Sequence, residues 1–292
     1  MNGIININKP LGMTSHDVVY RLRRLLSIKK IGHTGTLDPD ASGVLPMCIG
    51  RATKVSDMLT AKDKQYIAEV TLGSATDTLD ASGNITETAD VNVTEEDIRR
   101  VALEFTGEIE QIPPMYSAIK IDGKKLYELA RDGIEIERQP RRVKIDSIVI
   151  LETDIENKKF SMRVDCSKGT YIRTLCDDMG RRLGCFAHMS GLERTKSGIF
   201  DISASYSLEQ VERMYESGDM SFFVPIDKAF EEFPRITISQ RKAKLMCNGV
   251  RVGVQGIEEG VTYRVYDEGA RFLTISECEN GVLKILKTFY QE

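Results

Sequence analysis

No CxxC pair occurs in the chain, although it holds six cysteines (positions 48, 166, 176, 185, 247 and 278), and its three histidines are scattered. Structural zinc and thiol-redox chemistry therefore have no ligand set to rest on. Neither a GxGxxG nor a GxxxxGKS/T loop is present, so a nucleotide cofactor has no cradle of the usual kind. No GxSxG elbow presents a serine or cysteine nucleophile. No stretch approaches the ~18 uncharged apolar residues that a membrane helix needs. The first residues, "MNGIININKP", lack the basic-then-apolar pattern of a signal peptide. A cytoplasmic chain with reduced cysteines, no metal, no cofactor and no membrane contact is expected.

What is present is 292 residues, enough for one large domain and a small one, with 41% apolar and 29% charged content. The net charge of −4 argues by itself against a nucleic-acid partner, but the acidity is concentrated. Residues 65–110 carry eleven Asp/Glu against two Lys/Arg, whereas residues 1–64 carry ten Lys/Arg against five Asp/Glu. The regions flanking the acidic block can still present a basic surface to phosphates.

Along the chain, "GIININ" reads as a strand. Ser15 is a fitting N-cap for a helix whose apolar face is Val18, Val19, Leu22, Leu25 and Leu26. A helix is expected over Ala52–Leu59. In "QYIAEVTLG", Tyr66, Ala68, Val70 and Leu72 alternate onto one face of a half-buried strand. Thr94, with Asp97 three residues on, caps a helix reaching about Phe105. Residues 111–142 form an irregular, basic-leaning insertion with one short helix, a pattern common in binding loops. "RRVKIDSIVILE" and "KKFSMRVDCS" pair through a turn at Asn157. A helix then buries Ile172, Leu175, Cys176, Met179 and Leu183 and stops at Gly184. Near residue 234 the character changes to short strands with one basic amphipathic helix. The pattern is α+β, with a mixed or antiparallel central sheet and a small β-rich C-terminal domain over 235–292.

The stretch "GHTGTLDPDASGVLP" (32–46) sets Asp38 before a proline in a segment rich in turn residues. Asp38, Asp40, Ser42 and Gly43 match half of a calcium loop, but Ile49 stands where the bidentate glutamate belongs. A second segment, "TDTLDASG" (76–83), echoes "TLDPDASG" (36–43) but is too short to count as a repeat. Taken alone, Asp38 reads as a turn residue, Tyr66 as core, Arg173 as a surface partner of Asp177 and His33 as a turn cap.

Five ordered segments together resemble the bacterial TruB-type tRNA pseudouridine-55 synthases. They are "NKPLGMTSHDVVYRLRR" (8–24), "GHTGTLDPDASGVLP" (32–46), "KQYIAEVTLGSATDTLDASG" (64–83), "IPPMYSAIKIDGKKLYELARDG" (112–133) and "GTYIRTLCDDMGRRLG" (169–184). The part from 235 on is similar, more loosely, to a PUA RNA-binding domain, leaving residues 1–234 as the catalytic domain. The resemblance implies isomerisation of uridine 55 in the T loop of tRNA, by base flipping and without metal or cofactor. It implies Asp38 as the catalytic carboxylate, Tyr66 as the stacking partner of the base and Arg173 as the cation that pairs with Asp38 and lowers its pKa. Tyr171 and Leu192 would wall the pocket, and Lys9 and Pro10 would brace the loop. His33 would contact the flipped nucleotide, while Lys120, Lys124, Lys125, Arg141 and Arg142 would clamp the RNA stem.

Asp40 and Glu193 depart from the family pattern, the second at a position where members often carry a basic residue. A monomer with no obligate protein partner is implied. The rivals are a guide-RNA-dependent synthase of the archaeal and eukaryotic kind and a non-catalytic tRNA-folding factor.

Overall fold

The computed structural model describes residues 1–290 except 118 and 122. Its strands are, in chain order, β1 (Gly3–Lys9), β2 (Ile31–His33), β3 (Ala41–Ile49), β4 (Lys64–Leu72), β5 (Ser74–Thr76), β6 (Ile85–Thr88) and β7 (Gly107–Gln111). There follow β8 (Lys120–Ile121), β9 (Lys124–Lys125), β10 (Arg141–Asp154), β11 (Lys159–Cys166), β12 (Ala187–Ser197), β13 (Phe200–Asp201) and β14 (Phe223–Val224). The last five are β15 (Arg235–Ile238), β16 (Val252–Gly253), β17 (Thr262–Asp267), β18 (Phe272–Glu279) and β19 (Val282–Thr288).

A ten-stranded sheet in the order β14-β1-β3-β12-β4-β11-β10-β7, with β2 and β13 attached to it, carries the first part of the chain. Its pairings are antiparallel except β3 with β12, so the sheet is mixed. Ala68, Val70 and Leu72 of β4 are buried and Tyr66 is half-buried, as the period-two alternation predicts. They join Met162, Val164, Leu175, Met179 and Ile98 in one apolar core. A second core lies under helix α1 (Ser15–Leu26), which buries Val18, Val19, Leu22 and Leu26 against Ile5, Ile7 and Leu45. Each large apolar side chain so buried contributes about 1.5–3 kcal/mol. Tyr66 and Leu192 touch both cores and mark the seam between them.

Two local expectations are corrected. The N-cap of α1 is Thr14, which forms a capping box with Asp17; Ser15 is instead drawn inward by a backbone partner on the loop after β2. The helix expected over 52–59 is a 3₁₀ segment, Gly50–Val55, followed by the short α2 (Ser56–Thr60). The capping box of α3 (Glu95–Glu104), the short α4 (Leu126–Arg131) inside the insertion, and α5 (Ile172–Leu183) ending at left-handed Gly184 follow the sequence pattern.

After α6 (Leu208–Glu216) the chain builds a separate five-stranded sheet, β15-β17-β18-β19-β16, carrying α7 (Gln240–Cys247). Ile275 of β18 and Phe289, directly after β19, pack with Ile4, Val44, Ala52 and Phe230, so the two sheets share a core. Arg51 and Lys54 donate to the carbonyls of Phe289 and Thr288, and Lys287 pairs with Asp57 at 2.8 Å.

Candidate active site

The loop between β2 and β3 is fixed from below before it presents any side chain. Leu37 is buried in the α1 core, its N–H donates to Ser15 Oγ at 2.9 Å, and Ser15 Oγ donates to its carbonyl at 3.1 Å. Two residues on, the Pro39 carbonyl accepts from the Gly12 N–H at 2.8 Å and from Lys9 Nζ at 3.4 Å. Lys9 is fully buried, also donates to the Pro10 and Met13 carbonyls, and is held by burial at a pKa of about 8. Asp38 thus stands between two anchored residues.

Arg173 meets it from the opposite wall. The arginine lies in the first turn of α5, only 9% exposed in its side chain, with Nη2 3.1 Å from Asp38 Oδ2. The same guanidinium bonds the Tyr116 carbonyl at 2.8 Å and reaches Asp80 Oδ2 at 3.3 Å. Asp177, the alternative surface partner, pairs with Arg181 instead, at 2.8 Å. The N-cap Tyr171 is tied by its N–H and carbonyl to the Gln111 side chain, which fixes the start of α5 against the end of β7.

Sequence reasoning missed Asp80, and the signal for it was there. Thr36-Leu37-Asp38 and Thr78-Leu79-Asp80 are the same tripeptide, and the two aspartates converge on one guanidinium. The second copy docks differently: Leu79 is left-handed (φ 64°), and Leu79 and Ala81 exchange backbone hydrogen bonds with Met189 of β12. Thr78 and Ser82 donate to Asp80 Oδ1, leaving Oδ2 for Arg173.

Between these walls is a cleft of about 320 Å³ lined by Asp38, Asp40, Ala41, Asp80, Met189 and Ser190, among others. The Asp38 side chain is 43% exposed into it. Its pKa is raised above the ordinary carboxylate value, not lowered as expected. Desolvation is the largest influence and outweighs the pull of Arg173, while Asp80 and Asp40 add repulsion. Asp40 is therefore part of the site's electrostatics.

Tyr66 lies at the core seam, its phenol raised in pKa by burial, with Arg194 acting against that rise and the Asp38 charge adding to it. Leu192 of β12 pairs with Ala41 on one side and Ala68 on the other, at the floor next to the cleft-lining Gly191. Half-buried His33 accepts the Gly35 N–H through Nδ1 at 3.3 Å, and burial lowers its pKa. Glu193 sits between Leu192 and Arg194 on β12 and is half-buried.

The basic residues of the insertion fall into two groups. Lys120, Lys124 and Lys125 cluster on the two-residue strands β8 and β9, with Lys125 over the Tyr127 ring. Arg141 and Arg142 begin β10 beside β7, where Arg142 lies 3.7 Å from Glu110.

Known proteins resemble the chain over nearly its whole length. Residues 23–172 match the TruB family pseudouridylate synthase N-terminal domain, residues 173–231 the tRNA pseudouridylate synthase B C-terminal domain, and residues 234–284 the pseudouridine synthase II TruB C-terminal model. The chain is 45% identical to a tRNA pseudouridine synthase B of Clostridium kluyveri over 99% of this chain and 100% of that one. With the enzyme of the same name from Clostridium acetobutylicum the identity is 46%, over 98% and 99%. Among solved structures, the one titled "Crystal Structure of a Cbf5-Nop10-Gar1 Complex" aligns with a TM-score of 0.76 at 30% identity, over 99% of this chain and 85% of that one. Family models that together match residues 23–284, and relatives at 45–46% identity over nearly the full length of both chains, have one reading: the chain belongs to the TruB family of pseudouridylate synthases.

Proposed function

We propose that the protein converts uridine 55 in the T loop of tRNA to pseudouridine, with Asp38 as its essential carboxylate. The observation that carries this reading is the Arg173–Asp38 contact at 3.1 Å on the rim of a cleft large enough for a base. In the reaction the N1–C1′ bond of the uridine breaks, the detached uracil turns, and a C5–C1′ bond forms. One proton leaves C5 and one is gained at N1, so substrate and product are isomers. Arg173 holds Asp38 ionised and aimed at the nucleotide against the desolvation that favours its protonated form.

Tyr66 stacks on the base, a contact worth about 1–3 kcal/mol. Leaving the loop stack costs the base about 2–4 kcal/mol, which is smallest in a looped RNA. His33 contacts the displaced nucleotide or fills the space it leaves, and Tyr171 and Leu192 wall the pocket. Lys120, Lys124, Lys125, Arg141 and Arg142 hold the RNA backbone. Residues 1–234 act as the catalytic domain and 235–292 as a PUA-like RNA-binding domain, in a monomeric cytoplasmic enzyme that needs no protein partner.

The test is tritium release from 5-tritiated uridine in an unmodified tRNA transcript. Release by the parent, none by Asp38→Asn, and a product mapped to position 55 are expected. Release by Asp38→Asn overturns the role of the carboxylate, and binding without release by the parent makes the protein a tRNA-folding factor. A need for added guide RNA or partner proteins moves it to the class of its structural neighbours, one of which is titled as an H/ACA RNP bound to a substrate RNA.

A further inference from the structure

Arg194 is 1% exposed, the largest of the fully buried side chains, and among the described residues no carboxylate lies within ion-pairing distance of it. A buried guanidinium without a counter-charge costs free energy unless its donors are used. Here they go to the chain itself. Nε donates to the Val44 carbonyl at 2.7 Å and Nη2 to the Gly35 carbonyl at 3.3 Å, one on β3 and one in the loop that carries Asp38.

The sheet register explains the placement. Reading across β1, β3, β12, β4 and β11, the residues directly opposite one another are Lys9, Gly43, Arg194, Tyr66 and Val164. Residues opposite on neighbouring strands project to the same face, so Arg194 and Tyr66 are side by side on the sheet. Gly43 is required in this row: a Cβ there would stand 2.3 Å from the Arg194 carbonyl, at a φ of +103°. The Tyr66 phenol registers the neighbouring cation, which draws its pKa down against burial.

We propose that Arg194 is a positioning residue for the isomerisation, a strut whose fork holds the Tyr66 hydroxyl, the start of the Asp38 loop and the strand that follows that loop in fixed relation. It rests on the reading of Asp38 and Tyr66 given above. Arg194 does not reach the substrate; it sets the height of the ring on which the base stacks relative to the carboxylate. A displacement of about 1 Å at a reacting centre costs on the order of 10²-fold in rate.

The test pairs Arg194→Gln, which removes the charge, with Arg194→Lys, which keeps the charge and loses the fork. Both are expected to bind an unmodified tRNA transcript within about threefold of the parent and to lose on the order of 10²-fold in single-turnover rate. With 3-fluorotyrosine at position 66, the fluorine resonance is expected to move in both variants and to stay put in Leu22→Ala, which loosens the α1 core away from the row. With Arg194 itself unchanged, so that no Arg194 variant need fold, the Arg194 side-chain N–H resonances are expected to shift between the parent and Tyr66→Phe. A folded variant with parental rate, or N–H resonances indifferent to Tyr66→Phe, overturns the proposal. A parent inert on tRNA overturns the functional reading instead, and leaves the resonance experiments to judge the strut.

Discussion

At the residue scale the site is a contest between burial and one guanidinium. Burial, Asp80 and Asp40 push Asp38 toward its protonated form, and Arg173 pulls it back. With the ionised Asp38 as the active form, as proposed above, the single-turnover rate should fall as pH drops through the Asp38 pKa, above the ordinary 3.8. Arg173→Met removes the group that lowers this pKa, so the acid limb should move to higher pH. Asp80→Asn removes a repelling charge, so the limb should move to lower pH, although the rate falls because Arg173 loses a tether. Limbs that shift together would mean that Asp38 is not the titrating group. Arg173→Lys should cost about 10²–10³-fold in rate with tRNA affinity kept, because a point charge cannot span Asp38, Asp80 and the Tyr116 carbonyl at once. Single-turnover rates beside filter-binding affinities would check this.

The pairing of Asp38 with Arg173 was legible only through the ordered set of segments; composition and spacing alone make Asp38 a turn residue. The direction of its pKa was not legible, because desolvation depends on walls brought from residues 80 and 189. Asp80 was visible as a repeated Thr-Leu-Asp, but nothing in a single sequence says that two copies face one arginine. Ser15 looked like a cap because serine caps helices; its partner Leu37 lies twenty-two positions away.

At the scale of elements, period-two and helical alternation gave β4, α1, α3 and α5 and their buried faces, since those patterns are local. The boundary between 3₁₀ and α geometry in residues 50–60 was not legible, because it is set by packing under the C-terminal sheet. The close approach of α5 to β12 rests on Gly180, where a Cβ would meet the Ala187 backbone nitrogen at 2.2 Å. Gly180→Ala should therefore destabilise the fold by about 1–3 kcal/mol despite alanine's better helix propensity. It should also loosen Arg173, about two turns earlier on the same helix. Denaturant unfolding beside the single-turnover rate would read both effects, and a more stable variant would contradict the packing argument.

At the scale of the whole molecule, the acidic total hides a basic hairpin on the insertion. Replacing Lys120, Lys124 and Lys125 by alanine should weaken tRNA binding uniformly and flatten its dependence on log salt by about 0.7–0.9 for each phosphate no longer neutralised. Unchanged salt dependence would place the RNA elsewhere. The C-terminal sheet is not a free appendage, since Ile275 and Phe289 complete a core with Phe230, Ala52 and Val44. A chain cut after residue 233 should melt at a lower temperature than the full chain and expose apolar surface to dyes. An unchanged melting temperature would mean that the sheets are energetically independent.

The parallel pairing of β3 with β12 has a temporal consequence. It joins Ala41–Gly43 to Leu192–Arg194 across about 150 residues, and β12 also fills the gap between β3 and β4. Pairings of such high sequence separation form slowly, because loop closure must precede them. On the ribosome, a chain that has formed β3 and β4 but not yet β12 leaves the Ala41–Gly43 edge of β3 and the facing edge of β4 open, beside the loop that carries Asp38. Nascent chains paused in that window are the ones that a chaperone would be expected to hold.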